Sequence, residues 1–375
     1  MPTIKTMTNN TFAEINLNNL VSNAYAIKKM VFPSKVIPVV KADAYGHGAV
    51  PVTKRLTREG FNIFAVSQLK EAMELRESGI NHPILIFGRL FPDEISIAIR
   101  AGFRITIFGK EDIQWIEDSK EELPAFVHVN IDTGMGRAGV IIDQETDFFD
   151  RLINSKYCIW EGLYSHFSTS DEKDKAYADI QLSRFREILS LIKKLNKKPS
   201  IIHMANSGAI LNLSDSYFDA VRPGILMYGH YPSLETSHSI SPKQVMSLKT
   251  TVSQVRKLPA GFPVSYGRKW VTNSPTKIAV LPIGYADGIS RRLTNRGEVL
   301  IRGKLYPMVG TVTMDYIMID VGNDLIKTGD EAMLWGESSQ GEIKAIEVAE
   351  KIGTIPYELT CNVSRRVKRV YIGNY

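Results

Sequence analysis

The stretch "VVKADAYGHG", residues 39–48, carries an apolar run onto a lysine and passes at once into polar, glycine-rich sequence. Lysine prefers water, so an ammonium at a strand tip is either a surface group or an amine placed there for chemistry. The run belongs to the first of eight segments rich in branched residues. They are "KVIPVV" (35–40), "NIFAVS" (62–67), "PILIFG" (83–88), "FRITIFG" (103–109), "AFVHVNI" (125–131), "CIWEGLYSHF" (158–167), "SIIHMA" (200–205) and "DAVRPGILMYG" (219–229). Such runs read as buried parallel strands rather than strands with one wet face. Helical patterns lie between most of them, as in "QLKEAMELRESG" (68–79) and "ADIQLSRFREILSLIKKLN" (178–196), where Ile180, Phe185, Ile188, Leu189 and Ile192 are expected to share a face. Strands alternating with helices predict an α/β fold, a (β/α)8 TIM-type barrel, with an open doubly wound sheet as the alternative.

The barrel is expected over residues 1–238. "HYPSLETSHSISPK" (230–243) reads as a polar linker. Beyond it short strands broken by turns, "GEVLIRGKLYPMVG", "TMDYIMIDV" and "DEAMLW", predict a mainly β domain over 239–375, with one helical pattern at "IKAIEVAEKIG" (343–353). The N-terminal strand is a candidate to pair with that domain. A chain of 375 residues suits one large domain and a smaller one.

Composition excludes several classes. No apolar run reaches the roughly 20 residues of a membrane span, and "MPTIKTMTNNTFAEINL" lacks a secretory layout. Cys158 and Cys361 are the only cysteines, too few for a disulfide framework or a cysteine-rich zinc site, so a cytoplasmic protein without a metal is expected. The net charge of +6 and the basic run "SRRVKRV" (364–370) come with no nucleic-acid-binding signature, and the run alternates like a strand. Attraction of small anions is the more modest expectation.

In a barrel the chemistry gathers at the C-terminal strand ends. Those ends carry Lys41, then Asp132 and Arg137, His166, Asn206 and Ser207, and finally Arg222, Gly224 and Ile225; the opposite ends carry mostly prolines, lysines and small residues. Each has a plain structural reading: a surface lysine, a polar contact for His166, an ion pair for Arg222, an N-cap for Ser207. Together they make a different pattern. A short helix after the seventh strand and a glycine after the eighth form a phosphate pocket. "GMGRAG" (134–139) has dinucleotide-loop spacing, but "VII" follows it rather than a helix, so that reading fails. A lysine at one strand and a phosphate cup at two others suggest a phosphate-bearing aldehyde held on the amine, with pyridoxal 5′-phosphate the obvious candidate.

The motifs "AEINLNNLVSNAYAIK", "VVKADAYGHG", "IDTGMGRAG", "YSHFSTSDEKD", "HMANSGA", "VRPGILMYG", "VSYGR", "LPIGYADG", "GTVTMD" and "PYE" resemble, in order and through both domains, the bacterial alanine racemase family. The resemblance implies interconversion of L- and D-alanine, supply of D-alanine for peptidoglycan, and pyridoxal 5′-phosphate joined to Lys41. It implies that Tyr45, Ser207, Gly224, Ile225 and Tyr357 hold the phosphate and that Arg222, supported by His203, faces the pyridine nitrogen. Tyr266, with His166 near its hydroxyl, would be the second base, and Arg137 and Met314 would meet the substrate. The family's homodimers exchange their second domains head to tail, so Tyr266, Tyr285 and Met314 would serve the other subunit. Asp171, Tyr285, Arg291 and Ile355 fall at the family's access corridor.

Racemisation takes the α-hydrogen from one face and returns it to the other, so two bases on opposite sides are needed. Lys41 would serve the D-face and Tyr266 the L-face. A free tyrosine titrates near about 10, and cations such as His166 and Arg222 are expected to assist it. Arginine does not readily give up its proton, so Arg222 should leave the pyridine nitrogen unprotonated and discourage transamination. Three positions depart from the family pattern. Asn130 stands where a carbamylated lysine is common, which predicts a bound anion such as chloride beside Arg137 or another partner for Arg137. Thr311 replaces a corridor arginine, and Thr313 a cysteine. The alternatives are a broad-specificity racemase on the same fold, a non-catalytic pyridoxal phosphate carrier, and a basic decarboxylase relative.

Overall fold

The structure is a computed structural model and describes residues 11–144 and 147–373; the N-terminal decapeptide, whose lack of a secretory layout was noted above, lies outside them. The chain divides into two compact units, one of residues 21–227 with 231–242, the other of the flanking segments.

The first unit is built on an eight-stranded parallel sheet. Its strands in chain order are Lys35–Val36, Phe64–Val66, Ile84–Ile86, Arg104–Ile107, Ala125–Asn130, Cys158–Tyr164, Ile201–His203 and Ala220–Val221. All eight apolar runs therefore supply one strand each. The first strand pairs with the eighth, and a parallel bridge from Val39 to Ala65 joins the chain just beyond it to the second strand, which closes the barrel. Ile84, Leu85 and Ile86 are all fully buried, as are Phe64, Ala65 and Val66. A strand walled on both faces needs no polar alternation, which explains the continuous apolar runs.

Helices such as Leu69–Glu77, Pro92–Arg100, Lys110–Ser119 and Ala176–Ile192 alternate with the strands. In the last of these the buried face is Ala178, Gln181, Leu182, Phe185 and Ile192, while Ile180 is exposed. The face expected through Ile180 is thus corrected. Gln181 belongs inside because its amide accepts from the Ser168 N–H and donates to the His166 carbonyl. Residues 231–242 pack on the barrel: Lys173 N–H donates to Glu235, and Ser237 N–H to Asn212.

The second unit contains a seven-stranded sheet. Phe12–Asn16 lies in it parallel to Lys368–Ile372 and antiparallel to Met246–Thr251. The basic run at 364–370 thus ends in a strand. A three-stranded sheet of Gln254–Leu258, Thr276–Leu281 and Ile317–Gly322 packs Leu258 and Ile278 with Val264 and Val309. Two short helices, Ala345–Lys351 and Pro356–Cys361, complete the unit. Among the described residues no helix is long and apolar enough to cross a membrane.

Candidate active site

Lys41 follows the bridge that closes the barrel, at the C-terminal mouth. The chain then does something rare: Ala42, Asp43, Ala44 and Tyr45 all have φ between 52° and 56°, a left-handed turn made without glycine. Each residue so placed costs about 1–2 kcal/mol, so neighbours must hold it. Glu71 is the principal clamp. Its carboxylate accepts from the backbone N–H of Ala42 at 2.6 Å, Ser67 at 2.8 Å and Gln68 at 3.0 Å. Asp43 accepts from Ala49 N–H at 2.7 Å, and His47 Nδ1 donates to the carbonyls of Ala44 and Tyr45. Strain held this way fixes a backbone direction. Glu71 was not singled out from sequence, because its helical position gives no sign of what lies beyond its cap.

The turn buries Tyr45 against the end of the eighth strand. A Cβ on Gly224 would lie 2.3 Å from Tyr45 Oη, so any other residue there would push the tyrosine hydroxyl aside. Ser207 Oγ accepts from the N–H groups of Gly224 at 3.0 Å and Leu226 at 3.3 Å, which leaves its own proton to give. Ile225 is fully buried between them. The N-cap expected of Ser207 belongs instead to Asn206, whose side chain accepts from Ala209 N–H; Ser207 is the first helical residue and faces inward. Tyr45, Ser207 and Gly224 form a small cup of donors. Gly224→Ala is expected to weaken binding of pyridoxal 5′-phosphate about tenfold or more by displacing the Tyr45 hydroxyl, with little change in thermal stability; a fluorescence titration against the apoprotein measures it.

Arg222 is buried and multiply bonded. One Nη donates to His203 Nδ1 at 2.7 Å and to the His203 carbonyl at 2.9 Å; the other donates to the carbonyls of Ser165 and Met204 and to His166 Nδ1 at 3.2 Å. Its Nε–H has no acceptor among the described residues. Burial lowers its pKa to about 10, which still leaves it a cation at neutral pH.

A guanidinium only donates, so both imidazoles beside it must be neutral acceptors at Nδ1. Burial, then the charges of Arg222, Arg137 and Lys41, push His166 well below its ordinary pKa. The expectation that His166 is a cation is therefore corrected: it carries its proton on Nε2 and is a neutral donor there. His203 is likewise held far below its usual value by burial and by Arg222.

The hydrogen bonds continue away from the mouth. His203 Nε2 lies 2.9 Å from His128 Nδ1, His128 Nε2 lies 3.0 Å from Glu161, and Arg104 grips Glu161 through Nε and Nη2. Burial alone would raise the Glu161 carboxyl, but the bonds from His128 and Arg104 outweigh it and hold it at about 2. A depressed carboxyl stabilises the fold above its unfolded pKa and loses that contribution as pH falls through its folded one. After solvent screening at this partly exposed group, the contribution is about 2 kcal/mol. Acid unfolding between pH 5 and 2 is expected to be steeper in the native protein than in Glu161→Gln by that amount, measurable in urea titrations.

Arg137 stands exposed on the loop after the fifth strand and makes no hydrogen bond or ion pair with the described residues. Asn130 donates to the Ala138 carbonyl at 3.1 Å, so it does not orient the guanidinium. Of the two outcomes predicted for Arg137, a different protein partner is not found. Asp132 caps its own loop, accepting from the N–H groups of Gly134, Met135 and Gly136. Those are the donors a dinucleotide loop would give to pyrophosphate. Asp171 lies at the same end of the barrel unit, beside Gly208, where a Cβ would stand 3.0 Å from its N.

In the second unit Tyr266 opens a tight turn and is 74% exposed. Ser265, at φ 66°, donates to the Thr311 carbonyl at 2.6 Å, and Thr311 donates back to the Tyr266 carbonyl at 2.7 Å. Thr311, expected near the corridor, is buried and clamps the tyrosine's backbone. Tyr285 N–H donates to the Thr313 carbonyl and Ala286 N–H to that of Met314, which keeps Tyr285 and Met314 side by side. Tyr285 and Arg291 line one cavity of about 500 Å³ with Thr354 and Glu358. Ile355 and Tyr357 flank Pro356 at the start of the helix Pro356–Cys361, with Ile355 exposed. Lys41, His166, Ser207, Arg222, Gly224 and Ile225 therefore lie in the barrel unit together with Tyr45, Asp171 and His203, while Tyr266, Tyr285, Arg291, Met314, Ile355 and Tyr357 lie in the other.

Family models match both units: the alanine racemase N-terminal domain over residues 15–232 and the alanine racemase C-terminal domain over 245–371. An alanine racemase of Carboxydothermus hydrogenoformans is 41% identical over 365 residues, covering 96% of this chain and 99% of that one. Among solved structures, an alanine racemase of Clostridium difficile superposes with a TM-score of 0.92 at 37% identity, over 98% of this chain and 96% of that one. One from Bacillus anthracis with bound L-Ala-P gives 0.91 at 37% identity, over 97% and 95%.

Proposed function

Because this chain belongs to the alanine racemase family, we propose that it interconverts L- and D-alanine with bound pyridoxal 5′-phosphate, supplying D-alanine for peptidoglycan in the cytoplasm as a homodimer. The family depends on that cofactor, and the barrel residues fit it. The cup at Gly224 suits a phosphate, with Tyr45 and Ser207 as donors and Tyr357 added by the family pattern. Lys41 would hold the aldehyde carbon. The observation that carries the reading is Arg222, whose Nη groups serve five protein acceptors while Nε–H is left for a ring nitrogen.

Bound pyridoxal phosphate supplies a conjugated ring that takes up the electron pair left when an α-hydrogen departs as a proton. The remaining work falls to side chains. Arg222, a donor that keeps its proton, limits how far the ring nitrogen is protonated and so favours return of the proton to the α-carbon. Lys41 Nζ would take and return that proton on one face, Tyr266 Oη on the other. His166 offers Nε2–H as a neutral donor, so the positive charge that assists the tyrosine is assigned to Arg222. Arg137, without a protein partner, would bind the substrate carboxylate, with Met314 alongside. The exposure of Tyr266 and Met314, 74% and 51%, supports a second subunit covering them. In that arrangement Tyr266, Tyr285 and Met314 complete the other subunit's site.

The test is solvent-deuterium exchange at the α-carbon with purified holoenzyme and a panel of amino-acid enantiomers. Exchange from both alanine enantiomers, well above the other members of the panel, is expected. Equal exchange across the panel would replace alanine by a broad substrate class, and no exchange would reject the reading.

A further inference from the structure

We propose that Glu161 is a positioning residue for Arg222, acting through His128 and His203 from the N-terminal side of the barrel. The inference rests on the proposed function only in taking Arg222 as part of the site; the hydrogen-bond wire itself stands on geometry.

The direction of the wire is forced. Arg222 can only donate, so His203 accepts at Nδ1 and holds its proton on Nε2. His128 must then accept at Nδ1 and hold its proton on Nε2, which points at Glu161. Every bond runs the same way, from the cation at the mouth to the carboxylate at the far end, and bonds so aligned polarise one another. Both rings are fully buried. The His203 ring stacks on Tyr164, centroids 4.9 Å apart at 12°, so it does not turn to another partner.

The fold also makes room for the wire at a cost. Val127 pairs with Trp160, but the next pair is His128 with Gly162: the sixth strand bulges, and Glu161 is the residue left over. Bulges re-aim side chains. Directly after the bulged residue, a Cβ on Gly162 would lie 2.1 Å from His128 Nδ1. A glycine inside a strand weakens it unless another group needs the space, and here the imidazole does. Bulge, glycine and two buried imidazoles lie together along the wire. Their joint effect is to place one hydrogen-bond acceptor at the far end of a wire that starts at Arg222, fixing the tautomers of both rings and so which way the guanidinium faces.

The test uses protein with 15N-labelled histidine side chains, with and without pyridoxal 5′-phosphate. The unsubstituted protein should show His128 and His203 as neutral Nε2–H tautomers. Glu161→Gln keeps an acceptor for His128 and should keep this pattern, with kcat for alanine within about threefold. Glu161→Leu removes the acceptor; the two rings should become tautomer mixtures, and kcat should fall about 10–100-fold, the range typical of lost outer-layer support, with KM changing less. Should that variant not fold, Glu161→Leu with Arg104→Met removes the stranded cation and carries the same expectation. A folded Leu variant with native tautomers and native kcat would overturn the proposal. Absence of racemisation by the unsubstituted holoenzyme would overturn the proposed function instead, and the imidazole spectra of the apoprotein would still decide this inference.

Discussion

Lys41→Ala is expected to abolish deuterium exchange from both D- and L-alanine, and to leave the purified protein without a covalently held chromophore. One amine is asked to do two things: hold the cofactor's aldehyde carbon and move the α-proton on one face. Loss of a positioned acid–base group alone costs about 10²–10⁴-fold, and loss of the covalent hold comes on top, so the residual rate should fall beneath detection in both directions. The fold should survive. The left-handed φ angles begin at Ala42, not at residue 41, and the clamp from Glu71 is made to backbone N–H groups that an alanine preserves. A thermal melt near the native one, with the chromophore gone and exchange absent, is the expected set of results. Native exchange in the variant, or borohydride labelling elsewhere in the chain, would remove Lys41 from the mechanism.

Tyr266→Phe separates the two faces. Exchange from L-alanine should drop about 10²–10⁴-fold, the worth of one positioned base, while exchange from D-alanine, which begins at Lys41, should fall much less. Stability should hardly change: the substitution removes a single hydroxyl, and the turn that carries the ring is held through backbone carbonyls by Ser265 and Thr311. A kinetic loss on one enantiomer without a shift in melting is hard to produce by any structural route. Equal losses on both enantiomers would argue that the tyrosine positions substrate rather than moving its proton.

The barrel was readable because strands such as Phe64–Val66 and Ile84–Ile86 are walled on both sides, and burial on both faces leaves a continuous apolar run that a wet strand would not show. The strand ends at Lys41, His166, Ser207 and Arg222 were readable for a related reason: a functional side chain must leave the apolar layer at the mouth. The mainly β unit was legible in its turns. Its Tyr266, Tyr285 and Met314 have no such signature in pattern, and only motif resemblance singled them out.

Other features hid because they depend on contacts distant in sequence. Nothing local distinguishes Glu71 from any helical glutamate until its carboxylate is seen to clamp a turn 29 residues away. His128 sits in an apolar run where a lone histidine is usually inert, and its partners come from the sixth and seventh strands. The glycine in "WEGL" was the one available hint, since an interior strand glycine marks a close approach. Protonation states hid most completely. Residue type made His166 a plausible cation; a buried guanidinium 3.2 Å from its Nδ1 makes it a neutral donor. Chain order and hydrophobic rhythm were enough to specify the barrel and the edge at which its chemistry lies, because burial writes itself into neighbouring residues. Charge state, proton placement and backbone strain were settled by the folded arrangement, because each depends on which groups meet across the barrel after water has been excluded.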